Sequence, residues 1–572
     1  MDWKEAEYNN EIYNLALDKG FSEIISKLLA IRTNSKNDLI EYLNPKIKNL
    51  MPDPFSIKDM DKGANFLLSA IKAKRKIAIF GDYDVDGACS SALLARFLRA
   101  LEIDYKIYIP DRIMEGYGPN ISALMSLKNE GYDLVITVDC GTTAFEALEQ
   151  ASENGLDILV VDHHLSETKI PEAIAVINPN RFDDKSQLGF LCGAGVSFML
   201  LVAVVKLIKL DSESDDLFSK LPDLLELLDI VALATVCDVV PLVKLNRAIV
   251  RFGLKLMTNS RNVGLKELLS LVNIDVTNAI KSFHLGFQLG PRINAGGRVG
   301  KSTVAAELLA TENNKLVGKL ALELDHYNSE RKAIEKIVLD NALSQIEQNL
   351  LSDNNVIVVA NENWHPGVIG IVASRIKDKY QKPAAVISLE NKIGKASARS
   401  VEGVNLGQMI FDAKANDLLI AGGGHAMAAG FTIDESKISK FSNFLQNIEK
   451  ESNICSNYDL EIKLKDVNLN LVEELNILEP FGKDNNEPVF LIKDLMVSQH
   501  FFMQEKHLKL IIVDKNLGLL GNKIEAIIWN FDQFDIWDDI LNDKFDAICR
   551  IKENLWNGKV QIRLDIEKFF VN

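Results

Sequence analysis

Lys76-Ile77-Ala78-Ile79-Phe80-Gly81-Asp82-Tyr83-Asp84-Val85-Asp86-Gly87 is the stretch whose reading decides the fold. An apolar run ends at a glycine and is followed by three carboxylates in five residues; Ala88–Leu101 then carries small and apolar side chains at helical spacing. The pattern predicts strand, loop and helix, with Asp82, Asp84 and Asp86 at the carboxyl end of the strand. In open α/β sheets ligands bind at that edge. Carboxylates crowded there repel one another and stay protonated unless a cation holds them. A divalent metal with oxygen ligands is the economical reading. Asp-x-Asp-x-Asp-Gly also opens an EF-hand loop, but that loop follows a helix and needs a Glu at its twelfth position. Here a strand precedes it and the twelfth position is Leu93. The other rival is a solvated acidic turn that caps the next helix.

What weighs against a mere turn is that the same grammar recurs. Leu134–Val138 reads as a strand followed by Asp139-Cys140-Gly141, and Ile158–Val161 as another followed by Asp162-His163-His164. Further strands are expected at Tyr105–Ile109 and Ile174–Ile177, with helical patterns between the first four, so the unit reads as a mostly parallel sheet with helices on both faces. Three strands thus deliver Asp or His to one sheet edge. A fourth candidate, Asp238, follows the apolar helical pattern Leu221–Val236, where a plain loop acid is an equal reading.

Composition bounds the rest. The chain has 572 residues, room for about three or four domains, and its 47% hydrophobic and 25% charged residues are those of a globular protein. Residues 1–30 show no signal-peptide pattern, and the longest apolar runs, such as Val231–Thr235, read as far short of a membrane span. Six cysteines without paired spacing suit reduced thiols and a cytoplasmic location. A net charge of −16 argues against a generic nucleic-acid binder but leaves room for a local basic groove.

At Asp162-His163-His164 the chain resembles the DHH phosphoesterase superfamily, named for that triplet, and within it the single-strand-specific 5′→3′ exonucleases of bacterial DNA repair. The resemblance runs through Gly81–Gly87, Val138–Gly141, Leu191–Gly195, Cys237–Leu242, Gly290–Arg298, Trp364–Arg375 and Gly422–Gly430, nearly the whole chain, with no departure at a metal-binding position. It implies an N-terminal helical lead (1–50), a DHH catalytic domain (51–310), a connecting helix (311–350), a DHH-associated α/β substrate domain (351–455) and an OB-fold barrel (456–572). Residues 316–337 carry apolar side chains at helical spacing, as a joining helix needs, and a new α/β unit starts with strands Val356–Ala360 and Ala384–Leu389 around a helix at Gly367–Lys379. The tail offers five short strand candidates, Asp459–Leu464, Leu508–Val513, Ile524–Trp529, Ala547–Ile551 and Val560–Ile566. Phe501, Phe502, Trp529 and Trp556 are candidate stacking faces, each as readily core.

Such a set of carboxylates and imidazoles is enough for two hard cations sharing a bridging acid, Mg²⁺ or Mn²⁺, with the histidines favouring Mn²⁺. Two metals activate a water and stabilise the leaving oxygen of a phosphodiester. The expected ligands are Asp82, Asp84, Asp86, Asp139, His163, His164 and Asp238, with Asp139, Asp162 and His163 as the catalytic core. By resemblance Asp139 is the bridge, while Asp82 or His164 stands one step behind the metals. By resemblance, too, Arg112, Arg298, Arg399 and Ser397 hold a 5′ phosphate, with Arg375 and His425 as weaker candidates. The implied partners are single-stranded DNA with a 5′ end, a single-strand-binding protein and a helicase, and the implied state is a monomer without a membrane. The competing functions are a short-oligonucleotide or cyclic-dinucleotide phosphodiesterase and a catalytically idle single-strand-binding replication factor.

Overall fold

The structure, a computed structural model, describes residues 3–211, 214–447, 456–503, 506–514, 523–531, 539–541, 543–556 and 559–571. It divides into two units, Ile47–Glu451 and a second that combines Met1–Lys46 with Ser452–Asn572.

The first unit is built on a five-stranded sheet in which every pairing is parallel, in the order Tyr105–Tyr108, Ile77–Gly81, Leu134–Val138, Asp157–Val161, Ala175–Ile177. Alternate residues serve opposite cores: Ile77, Ile79, Ile136 and Leu159 pack on one face, and Ala78, Phe80, Val135 and Val160 on the other. Burial on both sides is why these strands read as continuous apolar runs. Gly81 pairs with Val138, and Val138 with Val161. Asp82, Asp139 and Asp162 therefore leave the sheet at the same level.

Among the described residues one helix, Gly193–Leu210, is long and apolar enough to cross a membrane, contrary to the reading of short apolar runs; 67% of it is buried inside the fold. Its apolar character on all sides reflects a core helix wrapped by neighbours.

The 35-residue helix Asn314–Gln348 serves two cores. Val317, Leu320 and Leu324 belong to the core of the parallel-sheet lobe, whereas Val338, Ala342 and Ile346 pack with Trp364, Val368 and Val372. At about 1.5 Å per residue it is roughly 50 Å long. The lobe at its far end has a mixed five-stranded sheet, ordered Ala421–His425, Ala428–Asp434, Ile393–Arg399, Ala384–Glu390, Ile357–Asn361. Helix Ile369–Tyr380 packs in one of the two cores flanking it and Leu406–Ala415 in the other.

In the second unit, strands Phe490–Met503, His507–Asp514, Ile524–Ile528, Lys559–Val571 and Phe545–Trp556 close into a barrel, and Leu460–Ile462 adds to Phe490–Met503. Phe490–Met503 is absent from the strand candidates above. A bulge between Val497 and Gln499 breaks its alternation. The N-terminal lead is not free-standing: Ile12, Leu28, Leu29 and Leu39 share the barrel core, and Trp3–Glu5 pairs in parallel with Ser456–Tyr458. Phe501, Phe502 and Trp529 are 50%, 54% and 42% exposed, so they are not core. The side chain of Trp556 lies outside the described residues.

Candidate active site

The loop after the first strand is shaped by its own acids. Asp84 caps the helix Val85–Ala100, accepting from the Asp86 and Gly87 N–H groups at 2.9 and 3.1 Å. Gly87 is required because a Cβ there would fall 2.3 Å from the Asp82 carbonyl oxygen. Asp86, 1% exposed, accepts from the Gly193 and Ala194 N–H groups at 2.5 and 2.8 Å, at the N-terminus of the Gly193–Leu210 helix. The partial positive charge of that terminus suits a buried carboxylate. Asp139 adopts a left-handed backbone (φ 60°), rare for a non-glycine residue, and its N–H donates to Val161 O at 2.9 Å. A Cβ on Gly193 would lie 2.8 Å from Asp139 Oδ1, so this glycine makes room for the acid.

Asp162 plays a different part from its neighbours. Its Oδ1 accepts from the His163 and His164 N–H groups at 2.7 and 3.1 Å and lies 2.8 Å from His164 Nδ1, while Oδ2 accepts from Thr142 N–H at 3.0 Å. Its oxygens are committed to folding the loop and orienting His164. Burial pushes Asp162 up, but the His164 and Thr142 hydrogen bonds win and hold it below the usual carboxylate range. His164 is held down by burial and raised by Asp162, ending at about 9.

The seven side chains anticipated as ligands come together in three overlapping groups: Asp82–Asp84–Asp139, Asp86–His163–Asp238 and Asp139–His163–His164. Within each, the ligand atoms lie within 4.8 Å of one another. His163 Nε2 lies 3.2 Å from Asp139 Oδ1 and 3.6 Å from both Asp86 Oδ2 and Asp238 Oδ2. Burial drives Asp82, Asp86 and Asp139 above the normal carboxylate range, with Asp84 adding to Asp82 and Asp86 adding to Asp139. Asp82 Oδ1, Asp139 Oδ1 and His163 Nε2 are buried without a hydrogen-bond partner. Oxygen and imidazole donors left unsatisfied at one point fit hard divalent cations. No thiol competes as a nucleophile here: burial pushes Cys89, Cys140, Cys192 and Cys237 up.

A cavity of 410 Å³ is lined by Arg112, Lys395, Ser397, Arg399 and Gly370, among others. Arg399 donates to Ser397 Oγ at 3.1 Å, and Arg112 lies over the Tyr83 ring at 4.9 Å. Arg298 donates to the carbonyl of Gly367, a cavity-lining residue, at 3.1 Å. Among the described residues none of these three arginines makes an ion pair. Burial, then Arg112, Arg331 and Arg399, push Arg298 down to about 10, and burial followed by Arg112 lowers Arg399. The helix Ile369–Tyr380 starts at this cavity with no side-chain cap. Unpaired guanidinium groups beside a helix N-terminus make an anion site. Arg375 and His425 do not line it: Arg375 is exposed and lies 3.4 Å from Glu335, and the exposed His425 accepts from Met427 N–H.

The glycine-rich Gly290–Arg298 stretch lies in a helix, Gly290–Val299. The glycines serve close packing, since a Cβ on Gly297 would lie 2.5 Å from Tyr83 O, and Asn294 Oδ1 accepts from Val85 N–H at 3.1 Å. Two asparagines were missed. Asn178 donates to Thr142 Oγ1 at 2.9 Å and His164 O at 2.8 Å, and Asn180 donates to His163 O at 2.5 Å. They follow the fifth strand, so the rule that found the acids would have found them. Tyr117, with its hydroxyl 3.4 Å from both His164 ring nitrogens, gave no such signal.

The chain matches the DHH family, N-terminal domain, over residues 76–235, the DHHA1 domain over 353–451 and the RecJ OB domain over 458–568. It is 34% identical over 548 residues to the single-stranded-DNA-specific exonuclease RecJ of Haemophilus influenzae, covering 92% of each chain. The chain belongs to the RecJ family. With the Bacillus subtilis member it shares 33% identity over 526 residues, spanning 90% of this chain and 64% of that longer one. A crystal structure of RecJ in complex with Mn²⁺ from Thermus thermophilus superposes with a TM-score of 0.81 at 27% identity, over 100% of this chain and 80% of the other. A RecJ–Mg²⁺ structure from the same organism gives 0.74 at 25% identity, over 99% and 78%. The mixed α/β architecture with a terminal barrel is therefore that of the RecJ family.

Proposed function

We propose that this chain is a divalent-metal-dependent exonuclease that hydrolyses single-stranded DNA from its 5′ end, in DNA repair and recombination. One observation supports the polarity: Arg112 and Arg399, without ion-pair partners, line a cavity whose wall Arg298 braces at Gly367, and Arg112 joins it to the acidic loop by lying over Tyr83, between Asp82 and Asp84. A terminal phosphate has more charge and more acceptor oxygens than an internal diester, so such a cavity favours a strand end.

In this reading Asp82, Asp84, Asp86, Asp139, His163, His164 and Asp238 would hold the cations, and Asp139 is common to two of the three groups. Mn²⁺ or Mg²⁺, when bound, supplies Lewis acidity toward the phosphodiester and lowers the pKa of an attacking water. The chain's own residues do the rest. Asp162 fixes the His163–His164 backbone, Asp86 ties the first loop to the Gly193 helix, and Arg112, Arg298, Arg399 and Ser397 grip the 5′ phosphate. Arg375 and His425 are left to contact the strand outside the cavity. The exposed Phe501, Phe502 and Trp529 of the barrel support a long single strand over a dinucleotide as substrate, because aromatic faces stack unpaired bases.

The proposed setting is the cytoplasm, for which five free cysteines among the described residues are suited, and the proposed state a monomer supplied with unwound strands by a helicase and single-strand-binding protein. Strands labelled at the 5′ or the 3′ end, digested with Mn²⁺ or Mg²⁺, test the core of this reading. Mononucleotide release from the 5′ label first is expected; release from the 3′ label first sinks it.

A further inference from the structure

Between Val276 and Ala306 the sequence contains no aspartate or glutamate but carries Lys281, Arg292, Arg298 and Lys301. That is unusual in a chain of net charge −16. Within it a π-helical turn, His284–Leu289, runs directly into the helix Gly290–Val299. π turns inside helices are rare and concentrate at functional sites. This continuous helix is tied to the site at two points. Arg298 donates to the cavity-lining Gly367, and Asn294 holds the Val85 N–H of the acidic loop.

Its other end shows something the reaction has not used. Phe283 and Phe287 are 55% and 72% exposed, and their rings are stacked with centroids 5.0 Å apart and planes 23° apart. The wider turn of i→i+5 hydrogen bonding brings residues four apart nearly into register, so the pair forms a preset flat face. It belongs to the same neighbourhood as Asp238, because Cys237 Sγ donates to Leu285 O at 3.4 Å and a Cβ on Gly286 would touch Val236. Phe287 and Arg298 are eleven residues apart on one helix, about 16 Å at 1.5 Å per residue.

We propose that the Phe283–Phe287 pair is a stacking platform for an unpaired base of the substrate strand, 3′ to the bond being cut. The inference rests on the exonuclease reading above and adds a specificity element to it. A strand whose 5′ phosphate is held at Arg298 passes the acidic loop and reaches the other end of the same helix. The aromatic face takes a base that has no pairing partner. A base locked in a duplex cannot open its face to the pair, so the platform helps select single strands.

The test is an abasic scan. Initial rates with Mn²⁺ are measured on 5′-phosphorylated oligothymidylates, each with one abasic nucleotide at a successive position, for wild type, Phe283→Ala/Phe287→Ala and Phe287→Trp. Wild type should lose roughly five- to a hundredfold in kcat/KM at one or two positions beyond the 5′ end. The double alanine variant should be slower on intact strands and flat at those positions. Phe287→Trp should keep the dip, with its fluorescence quenched on strand binding, which is a readout independent of turnover. Mn²⁺ titration and melting check that the variants fold. A wild type that degrades single strands with a flat profile overturns the platform alone, as does a double variant that keeps the dip or one whose only change is in self-association. A wild type that degrades no single strand overturns the exonuclease reading itself.

Discussion

At the edge of the parallel sheet Asp82, Asp86 and Asp139 are buried at 4%, 1% and 1% exposure, and burial raises all three carboxyl pKa values. The neighbouring cavity, lined by Arg112 and Arg399 with Arg298 bonded to its wall at Gly367, carries the opposite sign, and burial brings Arg298 down only to about 10. Each is dominated by one sign of charge, and the fold supports both in part through backbone groups. Gly193 and Ala194 N–H groups hold Asp86, and the Gly367 and Ala398 carbonyls hold Arg298 and Arg399. The difference lies in what each does without its ligand. Carboxylates can take up protons and become neutral; guanidinium groups cannot at any physiological pH. The acidic edge therefore exchanges protons for cations, whereas the arginine cavity stays charged and waits for an anion.

The largest effect comes from breaking the acidic side. Asp139→Asn removes the carboxylate shared by two of the three ligand groups, so turnover should fall by several orders of magnitude, and Mn²⁺ binding by calorimetry should weaken with it. Near-normal hydrolysis by a folded Asp139→Asn protein would falsify the assignment. Arg399→Ala breaks the other side. A hydrogen bond to a charged group contributes about 1.5–3 kcal/mol, so efficiency on 5′-phosphorylated strands should drop on the order of ten- to a hundredfold while Mn²⁺ binding is kept. The comparison with 5′-hydroxyl strands is decisive: if the variant keeps the full phosphate preference, or wild type has none, polarity comes from the channel's shape.

How much of this was legible depended on range. The acids at strand ends could be read because buried parallel strands are continuous apolar runs, and the first charge after each run marks the edge. That a single sheet aligns Gly81, Val138 and Val161 follows from pairing that no local window contains. Local signals misled where packing overrode them. Four glycines from residue 290 to residue 300 are a local signal for a loop, yet the stretch is helical and Gly297 is small so that the helix can touch Tyr83. The N-terminal helices looked like a lead, but their apolar faces match a barrel that begins some four hundred residues later, and cutting the barrel away would leave Ile12, Leu28 and Leu39 without a core. Gly193 lies in the Leu191–Gly195 motif for a reason no local window contains, the room it leaves for Asp139.

Gly193→Ala sharpens the comparison by leaving every charge in place and disturbing only shape. The added methyl meets a buried, fixed carboxylate 2.8 Å away and also sits in the helix terminus that holds Asp86. Overpacking of this kind costs about 1–3 kcal/mol, so the melting temperature should fall and Mn²⁺ affinity should fall with it. The arginine cavity should be untouched, and the preference for 5′-phosphate over 5′-hydroxyl ends should survive at reduced rate. If both fall together, the two clusters are mechanically one.

The smallest effect, a few degrees of melting temperature, separates the clusters by pH. In protein stripped with a chelator, Asp82, Asp86 and Asp139 have folded-state pKa values above the usual 3.8, and His164 is raised from 6.5 to about 9. All four bind protons more tightly folded than unfolded. The stability they contribute is fully present below the unfolded values and is lost as pH rises through the folded ones. Asp162, depressed instead, loses its contribution only when pH falls below the ordinary carboxylate range, outside the window that matters here. The arginines stay protonated throughout. Metal-free protein should therefore melt lower at each step from pH 6 to pH 9, and Mn²⁺ should raise the melting temperature more at pH 9 than at pH 6, because each cation displaces protons. Asp162→Asn removes the partner that raises His164, so the slope between pH 7 and pH 9 should flatten. Arg399→Ala should leave the whole profile parallel to wild type. A metal-free melting curve that is level from pH 6 to pH 9 would mean that the acidic edge holds no excess protons, and the contrast with the arginine cavity would fail.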